Sequence, residues 1–181
     1  MESLRGKLLV AAPTLEDPNF ARTVVIVGEH NEEGALGVVL NRPSETEVAE
    51  AVPDLADLVD VGEIVHVGGP VQASAVLVLA QFAEPAEARQ LVVADVGFLA
   101  VDDDEERAAA DLDRARVFAG YAGWGPGQLE AELEREDWIV EPALAEDVFS
   151  DSPVTLWSEV LERKGGQYRL VARMPVDPSV N

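Results

Sequence analysis

Val24-Val25-Ile26-Val27-Gly28-Glu29-His30-Asn31-Glu32-Glu33-Gly34-Ala35-Leu36-Gly37-Val38-Val39-Leu40-Asn41 is the stretch that decides the fold class. Four consecutive apolar residues branched at Cβ stiffen the chain and read as a strand over 22–29, buried on both faces. His30 to Gly34 is polar and reads as a turn, with Gly34 free to take a positive φ. Residues 36–41 read as a second strand, so the two form a hairpin. Working outward, apolar runs at 6–12, 64–67, 75–82, 90–94 and 116–121 read as further strands. Helices are expected between and after them. Ser44 with Glu47 forms a capping box that opens a short helix ended by Pro53, and a second helical stretch covers 54–59. The acids Asp102 to Glu106 read as a solvated first helical turn rather than a calcium loop, because they lack alternating ligands and a central glycine. Gln128 to Asp137 reads as a helix. Ser152-Pro153 starts another, with Val154, Trp157, Val160 and Leu161 on one face, and Gly165-Gly166 ends it. Close strand pairs mixed with helices give an α+β class. The expectation is one domain over 1–181.

The chain has 181 residues, with 13 Lys+Arg against 35 Asp+Glu, a net charge of −22 and no cysteine. Its hydrophobic fraction of 48% is that of a globular protein. No apolar run approaches the roughly 18 residues of a membrane span. No signal-peptide pattern opens the chain, so a cytoplasmic location is expected. Disulfides, thiol nucleophiles and thiolate metal sites are excluded. Direct nucleic-acid binding is disfavoured, because its affinity comes largely from Lys and Arg on phosphates. Anionic membranes are disfavoured on the same ground. Acidic solubilisation is the plainer meaning of the charge, and a cationic partner the sharper one.

Two stretches could carry chemistry. The first runs from Gly120 to Glu130 through Gly123, Trp124, Gly125 and Gly127, and reads as a Gly-rich loop entering a helix. Backbone N–H groups there suit an anion. Yet Pro126 removes a donor, no Lys follows, and Glu130 would repel phosphate. The glycines serve equally to let Tyr121 and Trp124 pack against backbone. The second stretch holds Asp17, Asn19 and Arg22. Asp17 and Asn19 suit Asx turns about Pro18. Arg22 suits either an ion pair with Asp17 or a fork to a ligand carboxylate. His30 reads as a solvated turn residue. A hydrolytic role for it would need Asp17 or a neighbouring carboxylate as partner. His66, in an apolar strand, reads as structural. The three tryptophans read as packing residues. No metal spacing and no Gly-x-Ser-x-Gly elbow occurs, and no cofactor is called for.

Four blocks together resemble the YqgE/AlgH family of bacterial proteins. They are Gly6 to Pro13 with Asp17 to Val25; Glu29 to Gly37 running through Leu40-Asn41-Arg42-Pro43; Gly68-Gly69-Pro70-Val71; and Gly120 to Gly125 with Gly127 to Glu130. The resemblance implies an α+β fold whose sheet includes a small barrel-like portion with helices packed around it, in a cytoplasmic bacterial protein. It implies no known reaction and no catalytic residues. Members are often labelled transcriptional regulators, but no helix-turn-helix with a basic recognition helix is visible here. Many relatives carry a His in the strand after Gly-Gly-Pro-Val, where this chain reads Val78-Leu79-Ala80-Gln81, so no general role rests on that His. The candidate surface is Asp17, Asn19, Arg22, His30, Asn41, Arg42, Gly123, Trp124, Gly125 and Gly127. The expected function is non-enzymatic binding or regulation through a small molecule or an unknown protein partner; the alternative is a hydrolase-like enzyme using His30 with a nearby carboxylate, and the third reading is a transcriptional regulator acting indirectly rather than by direct DNA binding. The oligomeric state is not legible.

Overall fold

The computed structural model describes residues 2–88 and 90–176. The strands are β1 (Lys7–Ala11), β2 (Val24–Asn31), β3 (Gly34–Val39), β4 (Pro43–Glu47), β5 (Ile64–Val67), β6 (Val71–Phe82), β7 (Leu91–Val93), β8 (Val96–Leu99), β9 (Leu112–Trp124) and β10 (Trp138–Pro142). The α-helices are α1 (Val48–Ala51), α2 (Asp104–Ala109), α3 (Gln128–Glu134), α4 (Ala145–Val148), α5 (Leu156–Lys164) and α6 (Tyr168–Ala172). The main path of the sheet runs β10-β1-β2-β3-β9-β6-β8-β7. β5 joins β9 in parallel and β4 in antiparallel fashion. The whole is a largely antiparallel sheet curled into a half-barrel, with helices packed on it. Among the described residues, no helix is long and apolar enough to cross a membrane.

The hairpin β2–β3 forms in the expected place, with Gly34 at φ 134°. Its strands are buried on both faces because each face has its own cover. Leu8, Val10, Val24, Ile26, Val38 and Leu40 pack under Trp157, Val160 and Leu161 of α5. Leu9, Val25, Val27 and Val39 pack with Trp124, Leu129 and Trp138 on the other side. Successive strand residues point to opposite faces, so an unbroken apolar run is what this sandwiching demands. A third cluster joins Leu55 of a 3-10 turn (Pro53–Leu58) to Val65, Val78 and Val117.

Several local readings are corrected. Ser44 to Glu47 is strand, not the start of a helix. The Ser44 hydroxyl accepts from Thr46 N at 3.1 Å, and α1 begins beyond Glu47 with no side-chain cap. Pairing with β5 outweighs the capping box. The Gly-rich segment is mostly strand: Gly120 to Trp124 belongs to the 13-residue β9, and only Gly125-Pro126-Gly127 is loop. The helix after it ends at Glu134, three residues short of Asp137. Val154 is exposed in a 3-10 turn, and Leu156 takes its place in the core. The acid run behaves as expected: the Asp103 carboxylate accepts from Glu106 N at 2.9 Å as the N-cap of α2.

Candidate functional site

The segment between β1 and β2 is held by side chains of the residues that follow β3. Asn41, just after β3, bridges it: its Oδ1 accepts from Val24 N at 2.9 Å and its Nδ2 donates to Arg22 O at 2.8 Å. Arg42 donates to Asn19 O at 2.8 Å and Ala21 O at 3.1 Å. Asp17 closes an Asx turn onto Asn19 N at 2.9 Å. Five of the expected residues, Asp17, Asn19, Arg22, Asn41 and Arg42, thus form one cluster. Asn41 and Arg42 are braces, satisfying backbone groups that no strand partner reaches.

The anticipated Arg22–Asp17 pair does not form. Arg22 sits at φ 58°, a left-handed backbone that few side chains adopt. This turns its guanidinium over the Trp157 indole, 4.2 Å from the ring centroid, and onto Met174 O at 2.6 Å. Partial burial lowers the pKa of Arg22. The charge of Asp17 acts instead on Arg42, where it offsets part of the lowering caused by burial. Beside Arg22 opens a cavity of about 480 Å3, lined by Ala12, Pro13, Leu15, Ala21 and Met174 with Glu16 at its wall. Arg22 is the cation of that lining.

The other expected residues gather at α3. His30 is not solvated: it lies near the end of β2 and is 8% exposed. Its Nδ1 accepts from Leu4 N at 3.0 Å, which leaves the proton of the neutral ring on Nε2, 2.6 Å from Glu130 Oε1. That hydrogen bond is the main cause that lowers the pKa of Glu130. The carboxylate beside His30 is therefore Glu130, not Asp17. A shallow cavity of about 260 Å3 touches His30 together with Ser3 and Asn31. Ser3 does not aim at the ring. Its hydroxyl donates to His30 O at 3.3 Å.

Trp124 and Trp138 both donate their indole N–H to Glu132 Oε2, at 2.6 and 3.0 Å. Phe20 packs against both rings, with centroids 6.3 and 5.7 Å away, and so links the two clusters. Gly123 and Gly125 are exposed, and a Cβ at either would meet only ordinary contacts. Gly127 takes φ 75° as the residue before α3.

His66 is buried among apolar strands as expected, against Phe118 at 5.8 Å. Its Nδ1 has no hydrogen-bond partner. Burial, and then the charge of Arg116, lower its pKa to about 4. Sequence reasoning passed over Glu132, Phe20, Trp157 and Met174 as parts of these clusters. It also passed over the buried Arg116. The only trace of Arg116 in the sequence is a charge inside the apolar run leading to Val117-Phe118.

Fold and clusters together define an α+β half-barrel protein whose β1–β2 segment is braced over a cavity. The chain belongs to the AlgH-like family, which matches residues 8–169. A UPF0301 protein of Streptomyces coelicolor is 43% identical over 187 residues, covering 100% of this chain and 97% of the relative. A UPF0301 protein of Rhodococcus opacus is 44% identical, covering 97% and 90%. Among solved structures, a crystal structure of a Corynebacterium diphtheriae protein matches at TM-score 0.85 and 32% identity, covering 95% of this chain and 93% of that one. The solution structure of AlgH from Pseudomonas aeruginosa matches at TM-score 0.70 and 30% identity, covering 97% and 98%.

Proposed function

We propose that this is a non-enzymatic binding protein that takes a small carboxylic acid with an apolar body in the cavity beside Arg22. The observation that carries the reading is Arg22 itself: a guanidinium held by Trp157 and Met174 on the wall of a mainly apolar cavity of about 480 Å3. That combination orients a carboxylate while burying its hydrocarbon. The left-handed backbone at Arg22 supports it, since strain of this kind persists where the surroundings enforce it.

The engagement of His30 supports binding over hydrolysis. Both ring nitrogens are occupied within the protein, so the imidazole offers neither a free lone pair nor a free proton to a substrate. A regulatory role exercised through such a ligand needs no contact with DNA, which suits a chain of net charge −22.

A thermal-shift comparison of hexanoate and phenylacetate with the matching alcohols tests this. The acids should raise the melting temperature dose-dependently, by up to about 2.7 kcal/mol of stabilisation at a hundredfold excess over Kd, and the alcohols should not. Arg22→Gly keeps the left-handed backbone without strain and should abolish the response. A flat response to every acid overturns the ligand and turns attention to a protein partner.

A further inference from the structure

A separate cavity of about 190 Å3 opens at the start of β9, bordered by the residues leading into β5 and by the segment after α4. Arg114 and Arg116 line it, two residues apart on β9 and so on one face of the strand. Arg116 is 8% exposed. Its Nη1 donates to Val148 O at 3.2 Å and Ser150 O at 2.9 Å, and its buried Nε has no partner. Arg114 lies 4.4 Å over the Phe149 ring and donates to Gln81 Oε1 at 2.7 Å.

Four carboxylates, Asp60, Glu63, Asp113 and Asp151, line the same cavity. Among the described residues none of them makes a side-chain hydrogen bond or an ion pair, although Glu63 and Asp151 act on Arg116 through space. Two guanidinium groups therefore face four carboxylates, an excess of two negative charges around one small cavity. Asp60, Asp113 and Asp151 are exposed and Glu63 is half-buried, whereas Arg116 is buried, and a buried donor left unmade is costly. An anion alone would answer the arginine but meet the carboxylates. An amine alone would answer the carboxylates but not the arginine. A ligand that carries a carboxylate and more than one cationic group answers both. The volume lies below the roughly 300–1,000 Å3 of drug-sized sites, which points to a metabolite of few heavy atoms. No group of three or more His, Asp or Glu placed to hold a metal ion occurs among the described residues.

We propose that this cavity binds a free amino acid with a cationic side chain. The α-carboxylate lies toward Arg116, and the α-amino and side-chain cations lie among Asp60, Glu63, Asp113 and Asp151. The site is independent of the cavity beside Arg22.

Isothermal titration of the full chain at low salt with L-lysine and L-arginine tests it. At least one should bind saturably at one site per chain. It should bind about tenfold more tightly than cadaverine, which lacks the carboxylate, and than L-glutamate, which lacks the second cation. Glu63→Gln with Asp151→Asn should weaken it by about tenfold or more, while Arg22→Gly should leave it unchanged. Arg116→Gln should abolish binding. Because Arg116 also holds Val148 and Ser150, the two carboxylate substitutions decide the matter if that variant does not fold. Absence of saturable binding by both amino acids overturns the proposal. So does cadaverine binding as tightly as L-lysine, an affinity unmoved by Glu63→Gln with Asp151→Asn, or loss of binding in Arg22→Gly.

Discussion

Burial of His66 ties the stability of the protein to pH. In the unfolded chain its imidazole titrates near its ordinary value of 6.5, but in the folded protein it is held at about 4 by burial and by Arg116. Between those values the unfolded state takes up the proton and the native state does not. The contribution is therefore intact above pH 6.5 and is lost as pH falls toward 4, to a total of about 3 kcal/mol at about 1.4 kcal/mol per pH unit. His66→Met removes the titrating group while keeping an apolar side chain. Urea midpoints at pH 7.5 and 4.5 should fall more steeply for the parent than for this variant, and equal slopes would show that His66 is protonated in the native state without cost. Glu132 offers a second residue-scale case. One of its oxygens accepts from both Trp124 and Trp138, so Glu132→Ala strands two indole donors. The expected loss is about 1–3 kcal/mol, with a change in tryptophan fluorescence, read by denaturant unfolding. Neither case was legible beforehand in full. The burial of His66 followed from its apolar neighbours, but its unpaired nitrogen and the shared carboxylate depend on contacts between distant elements.

At the scale of elements, β9 organises the molecule. Its first part pairs with β6 and β5 and its last part with β3, so one strand joins the two portions of the sheet. The joint requires close backbone approach. Gly120, at φ 75°, and Gly69, at φ 152°, face each other so closely that a Cβ at either would lie under 3.0 Å from backbone of the opposite segment. Gly127 also has φ 75°, but a Cβ there would meet nothing within 4 Å. Gly127→Ala should therefore cost only the left-handed penalty, about 1–2 kcal/mol. Gly120→Ala adds a clash that backbone cannot yield to. It should lower the melting temperature much further or prevent folding, and similar losses for the two variants would refute the close-approach argument. These glycines explain which elements were legible. The β2–β3 hairpin shows itself through local pattern, because both of its faces are covered. The glycines of 120–125 resembled a loop, since local chemistry does not reveal that strand pairing overrides their flexibility. Ser44 to Glu47 misled in the opposite way: a sound capping pattern lost to an edge pairing supplied by β5. β10 and α4 announced themselves by no period at all, being short and fixed by contacts with β1 and with Arg163.

At the scale of the whole molecule, charge and topology act in opposite directions. The charge of −22 makes the compact state repel itself. The sheet resists by joining distant parts of the chain, as where Lys7–Ala11 pairs with Trp138–Pro142 while also pairing with β2. Removing either end of that arrangement would uncover core residues such as Leu9 and Val10, so partial unfolding gains little. The chain is expected to unfold in one cooperative transition, with coincident loss of near- and far-ultraviolet circular dichroism. Salt separates the two influences. At about 0.01 M ionic strength the screening length is near 30 Å, and at about 0.15 M it shrinks to near 8 Å, so long-range repulsion fades while paired and buried charges such as Asp147 with Arg163 are less affected. The melting temperature should therefore rise between these two salt concentrations without losing its single transition. A fall in melting temperature would mean that the exposed ion pairs outweigh the repulsion. A second transition would mean that β9 does not couple the two portions of the sheet.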